Sequence, residues 1–197
     1  MNPAAAPVDW YKAFRREVRQ ARRANPLREA ALVQQLGTWT RCLTGAVVAA
    51  CQSLGWAAVA RGHLSEVLPV VKQEYLAIDV MAFPQAKSPG WMKPIAAFEL
   101  ENRVDEEIIA YSLWKVSLIR CHLAGVFCYR ENPEEIGSLL DFLAHKVMGR
   151  IEDISHGEER STLLVVGTRS RGEDFPDGFF KPYVWDSAFR QFRPLPW

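Results

Sequence analysis

The chain has no C-x-x-C pair and no His at zinc-finger distance from any of its four cysteines: Cys42, Cys51, Cys121 and Cys128 follow one another at spacings of nine, seventy and seven. This argues against a structural zinc. Each thiol lies in or beside an apolar stretch, which suits reduced, buried cysteines in an intracellular, cytoplasmic setting better than a disulfide framework. Net charge is also nearly missing, with 24 Lys+Arg against 23 Asp+Glu. A globally basic domain is the usual footprint of a nucleic-acid binder, so any polyanion site here must be local. Gly and Pro, 12 of each in 197 residues, are too few for a collagenous or low-complexity chain, and 49% hydrophobic content excludes a disordered tail. Long apolar runs are lacking as well. The uncharged stretch from Cys42 to Ala60 is interrupted by Thr44, Gly45, Gln52, Ser53 and Gly55, so it falls short of the ~20 residues a bilayer requires and reads as a buried helix followed by a buried strand. The Arg-rich N-terminus contains Asp9 and Glu17 and has no secretory apolar region, so no targeting signal is evident. There is no G-x-x-x-x-G-K-[ST], no G-x-G-x-x-G and no nucleophile elbow.

What is present is a chain of one-domain size with a clear order of elements. Val8, Tyr11, Phe14, Val18 and Ala21 recur at steps of three and four, with Arg15, Arg16, Arg19, Arg22 and Arg23 between them, predicting a basic amphipathic helix over residues 1–25. Residues 1–30 hold seven Lys or Arg against three Asp or Glu, so the rest of the chain is net acidic. After the Asn25-Pro26 break a second helix is expected from Pro26 to about Leu54, capped at Gly55. Strands are expected at Trp56–Ala60, Glu74–Phe83 and Pro94–Asn102, in an order that suggests a meander. A helix opened by Asp105 and Glu106 runs to about Cys121, followed by a strand at Ala124–Tyr129, a helix at Glu134–Arg150 and a strand at Thr162–Thr168. The expected organisation is an α/β core over residues 26–170 and an aromatic, Pro-rich tail over 171–197 packed on its surface.

The informative segments are EYLAIDVMAF and PIAAFELEN. Side chains alternate along a strand, so Asp79 falls on the face opposite Ile78, Val80 and Ala82, and Glu99 and Glu101 fall opposite Phe98 and Leu100. If these strands are neighbours, Asp79, Glu99 and Glu101 converge. Crowded carboxylates repel one another and are costly without a cation. A hard divalent ion relieves that repulsion, Mg2+ prefers a few carboxylates with waters and phosphate oxygens, and metal-assisted phosphodiester hydrolysis is the chemistry suggested. The bland alternative is a solvated face of a half-exposed sheet.

The element order and these residues together resemble the PD-(D/E)XK nuclease superfamily, over roughly Pro26 to Tyr129. The resemblance implies a restriction-endonuclease-like core: a mixed β-sheet, built on a three-stranded meander plus further strands, flanked by helices. Asp79 stands at the family's Asp on the second core strand and Glu99 at the acid two residues before the Lys of the third. That Lys position holds Glu101 here, so E-x-K becomes E-L-E. Some restriction endonucleases of the family carry Glu-x-Glu, and other members place the Lys on the following helix, where this chain has Lys115. The resemblance implies that Asp79 and Glu99 bind Mg2+ or Mn2+, with the backbone carbonyl of Leu100 as a further ligand. Glu101 would then orient or deprotonate water or help hold a second ion, and Lys115 would either point at the cluster and stabilise the transition state or simply snorkel from an amphipathic helix. Glu29, Glu66 and Glu74 are candidates for an additional acid. The implied partner is nucleic acid, DNA by analogy, met by the protein alone, as a homodimer or with a partner subunit, and no membrane is involved.

Other candidates carry less. His63, His122, His145 and His156 are scattered without partners at ligand spacing. Arg169 and Arg171 could touch phosphate or simply line a loop. Arg15, Arg16, Arg19, Arg22 and Arg23 form either a nucleic-acid clamp beside the acidic centre or the outer face of a docked helix. Two rival functions remain open: a catalytically inactive relative that binds nucleic acid or another subunit, and a protein-interaction domain that uses Trp91 and Trp197 as anchors.

Overall fold

The computed structural model describes residues 6–33, 35–151 and 160–197; His156 lies outside them. Seven strands form a single mixed sheet in chain order: β1 (Trp56–Ala60), β2 (Val80–Pro84), β3 (Ala96–Leu100), β4 (Leu123–Arg130), β5 (Ser161–Thr168), β6 (Phe180–Asp186) and β7 (Gln191–Pro194). The first three pair antiparallel as a meander, β3–β4 and β4–β5 are parallel, and β5–β6–β7 return to antiparallel pairing. The fold is α/β, with helices on both faces of the sheet. Parallel neighbours need long crossovers, and helices α4 (Glu106–Ser117) and α5 (Ile136–Leu143, continuing through a π-helical turn at Ala144–Met148 to Ile151) supply them. β4 is buried along its whole length, as expected of a central strand covered on both faces.

One face of the sheet carries α1 (Ala6–Arg19), α2 (Ala21–Leu32) and α3 (Leu36–Ser53). The apolar stripe of α1 is what docks: Trp10 stacks on Phe14 at 5.5 Å and on Phe98 of β3 at 4.4 Å. Gly125 of β4 makes room for this, because a Cβ there would meet the Phe98 ring at 2.4 Å. The other face carries α4 and α5, packed through Ile109, Leu113, Val116, Leu139 and Leu143 onto Met81, Phe83, Ala97 and Val126. Asp105 caps α4, its carboxylate accepting from the Ile108 N–H at 3.1 Å. No helix among the described residues is long and apolar enough to cross a membrane.

Three expectations are corrected. The helix expected over Pro26–Leu54 is two helices, α2 beginning before Pro26 and α3 beginning at Leu36. A single helix of that span would be roughly 40 Å long, more than a small domain is wide, and the break folds it back onto the sheet. The strand expected from Glu74 begins only at Val80. Residues 75–78 form a tight turn with Leu76 and Ala77 in the left-handed region (φ 55° and 54°), which leaves Leu76 73% exposed. The C-terminal segment is not a surface wrap, since β6 and β7 extend the sheet and Phe179, Phe180 and Phe192 are buried. Pro182 is tolerated within β6 because its carbonyl, and so its missing N–H, faces the end of β7, where Leu195 N–H donates at 3.0 Å.

Candidate active site

The register Val80↔Phe98 and Met81↔Ala97, taken one step further, sets Asp79 opposite Glu99. Both side chains then share the α4 face with Met81 and Ala97. The pair is tied across the strands: Asp79 N–H donates to Glu99 Oε1 at 3.3 Å, and Leu100 N–H donates to Asp79 Oδ2 at 2.8 Å. Lys115, in the last turn of α4, closes the group. Its ammonium lies 2.8 Å from Glu99 Oε2 and donates to the Ala77 carbonyl at 2.8 Å. The left-handed turn at Leu76-Ala77 is what aims that carbonyl at Lys115, a contribution that no sequence signal announces because neither residue favours such a turn.

Burial dominates the electrostatics. Glu99 is 5% exposed, and desolvation raises its pKa to about 7, with the Asp79 charge adding to the rise and Lys115 opposing it. Asp79 is raised for the same first reason, opposed by the Leu100 N–H and Lys115, with Glu74 and Glu101 pushing it further up. Glu101 follows β3 but turns aside: its Oε1 accepts from Arg103 N–H at 2.8 Å and its Oε2 from Ser112 Oγ at 3.5 Å. It lies close enough to act on the Asp79 charge without joining the pair. Ser112, buried on α4, is a contact that the sequence reading missed.

The remaining candidates are dispersed. Glu74 ion-pairs with Arg61 at 3.8 Å, and Glu29 and Glu66 are exposed. The basic side chains of α1 and α2 are not beside the carboxylates, because α1 packs on the opposite face of the sheet. Arg15 and Arg19 pair with Asp177, Arg23 with Glu17, Arg22 with the Gln20 side chain, and Arg16 reaches Ser53. Arg15 also lies over the Trp197 ring at 3.5 Å. Arg169 donates to the Asn102 carbonyl at 3.1 Å, and Arg171 pairs with Asp174. All four cysteines are free.

No protein-family model and no curated protein matches the chain. Among solved structures, NucC of E. coli MS115-1 in its cAAA-bound form is similar over 99% of this chain and 83% of that one, with 11% sequence identity and a TM-score of 0.49.

The donor set suits a hard divalent cation. Among the described residues no three His, Cys, Asp or Glu side chains converge to hold a metal; Asp79 and Glu99, tied to each other across β2 and β3, are the residues that could hold one, with water and substrate oxygens filling the other positions. That is the habit of Mg2+, which keeps several waters and binds through one or two carboxylates. The raised pKa values of both acids are a cost that a cation relieves.

Proposed function

We propose that this protein hydrolyses phosphodiester bonds of nucleic acid, DNA in the first instance, as a Mg2+- or Mn2+-dependent nuclease of the PD-(D/E)XK type. The observation that carries the reading is the Asp79–Glu99 pair across β2 and β3 with Lys115 held against it. Asp79, Glu99 and the Leu100 carbonyl are the residues that would hold the ion. When bound, such an ion neutralises phosphate charge and makes water a better nucleophile at neutral pH. Glu101, oriented by Ser112 and the Arg103 N–H, takes the proton from the attacking water. Lys115 meets the negative charge that develops on the phosphate. Glu99 must be ionised to serve, and the neighbouring ammonium favours that form against burial. Free thiols throughout fit a reducing, cytoplasmic setting.

One observation favours a second reading, a non-catalytic module that binds nucleic acid or another subunit. Lys115 already compensates Glu99, and Glu101 is engaged elsewhere. Incubating the purified chain with supercoiled, linear and single-stranded DNA, with and without Mg2+ or Mn2+, decides between them. The nuclease reading expects metal-dependent cleavage that Asp79→Ala and Glu99→Ala abolish. Cleavage retained by both variants removes the site assignment, and binding without cleavage establishes the second reading.

A further inference from the structure

Helix α4 buries Ile109, Leu113 and Val116, while Tyr111, Trp114 and Leu118 stand on its outer side, 56%, 45% and 56% exposed. The Tyr111 and Trp114 rings stack on each other, with centroids 5.8 Å apart and planes 29° from parallel. They line an open groove of about 420 Å³, with Ala110 and Val147 between them and the cations Lys146 and Arg150 on the other side. Glu107 is the one acid among the described residues of that lining. Lys146 sits within the π-helical turn Ala144–Met148, an irregularity that recurs at functional sites. Lys115 joins the groove to the carboxylates, its ammonium 5.9 Å from the Tyr111 ring centroid and 2.8 Å from Glu99 Oε2.

Two stacked, solvent-facing rings opposite two exposed cations match one ligand chemistry well: aromatic planes joined by phosphates. A strand carries a phosphate at every step to meet Lys146 and Arg150, whereas a second copy seated on this face brings, among the described residues of the lining, one acid, Glu107, for those two cations. Resting on the nuclease reading, we propose that this groove takes an unpaired nucleic-acid strand, with bases stacked on Tyr111 and Trp114 and phosphates against Lys146 and Arg150, and so delivers it past Lys115 to the Asp79–Glu99 pair. The strand must be unpaired because the base faces of a duplex are covered by their own neighbours, whereas a splayed base offers a π-face to any ring.

The test is equilibrium binding of a short oligothymidylate and of a blunt duplex to the full-length chain in EDTA, where no metal-dependent cleavage intervenes. Trp114→Ala is expected to weaken oligothymidylate binding about 5- to 100-fold, with duplex binding little changed and with Trp114→Phe restoring most of the loss. Lys146→Gln and Arg150→Gln should each flatten the salt dependence of log K by roughly 0.7. Oligothymidylate binding unaltered in Trp114→Ala overturns the proposal, as does a change of molecular mass in that variant showing that the face joins two copies. Strand binding lost in Trp114→Ala without cleavage in any metal keeps the groove and removes the nuclease. Duplex cleavage by a protein whose groove variants behave like the parent removes the groove and keeps the nuclease.

Discussion

Glu99 is held almost out of water on a strand whose neighbour carries another acid, and the cation that meets it is a lysine on a separate helix. A carboxyl raised from 4.5 to about 7 binds its proton more tightly in the folded chain than in the unfolded one. The stability it contributes is therefore present below about pH 4.5 and lost as pH rises through about 7, and Asp79, also raised, acts in the same direction. In EDTA, Glu99 should make the unfolding midpoint fall across that window, with Asp79 adding in the same direction, and Glu99→Gln should flatten the profile. A profile identical to that of Glu99→Gln would show that the carboxyl is not perturbed. Lys115→Met leaves the Glu99 charge without its partner, and urea denaturation at pH 8 should show a loss of about 1–3 kcal/mol, much smaller at pH 5.5, where Glu99 is protonated.

Element by element, the sequence was most readable where a single period governed. The alternation in AAFEL places Phe98 on one face and Glu99 on the other, and the continuous apolar run of β4 announces a central strand. The same period misleads over residues 74–79, because Leu76-Ala77 is a left-handed turn built from residues that carry no turn signal. Asp79 still falls on the expected face, since it shares parity with Met81 of β2. The last two strands escaped notice because FKPYVWD and QFRP contain prolines that argue against strands, and only the direction of the Pro182 carbonyl shows why the ladder tolerates one. Lys115 was legible as a candidate through its place on the following helix, but its aim at Glu99 depends on a tertiary contact between α4 and the 75–78 turn. Leu76→Gly should relieve the backbone strain at an exposed position and raise stability by roughly 1 kcal/mol, read as a higher unfolding midpoint. A fall in midpoint would mean that the Leu76 side chain has a packing role.

At the scale of the molecule, the near-neutral charge separates across the sheet. Cations of α1 meet Asp177 next to the C-terminal strands on one side, and the carboxylate pair with its lysine occupies the other. Asp177 is held below the usual carboxylate range by its hydrogen bond from Arg19, with Arg15 adding to it, so this contact strengthens above the ordinary Asp pKa and is lost on acidification. Replacing Arg15 and Arg19 with Gln should lower the unfolding midpoint at neutral pH and leave the salt dependence of DNA binding unchanged. A reduced salt slope would instead place nucleic acid on the α1 face. Whether the Asp79–Glu99 pair holds a divalent ion is read out by calorimetric titration of Mn2+ into the intact chain at pH 8. Saturable binding that is lost in both Asp79→Asn and Glu99→Gln is expected; binding of unchanged affinity in these variants would place the ion elsewhere.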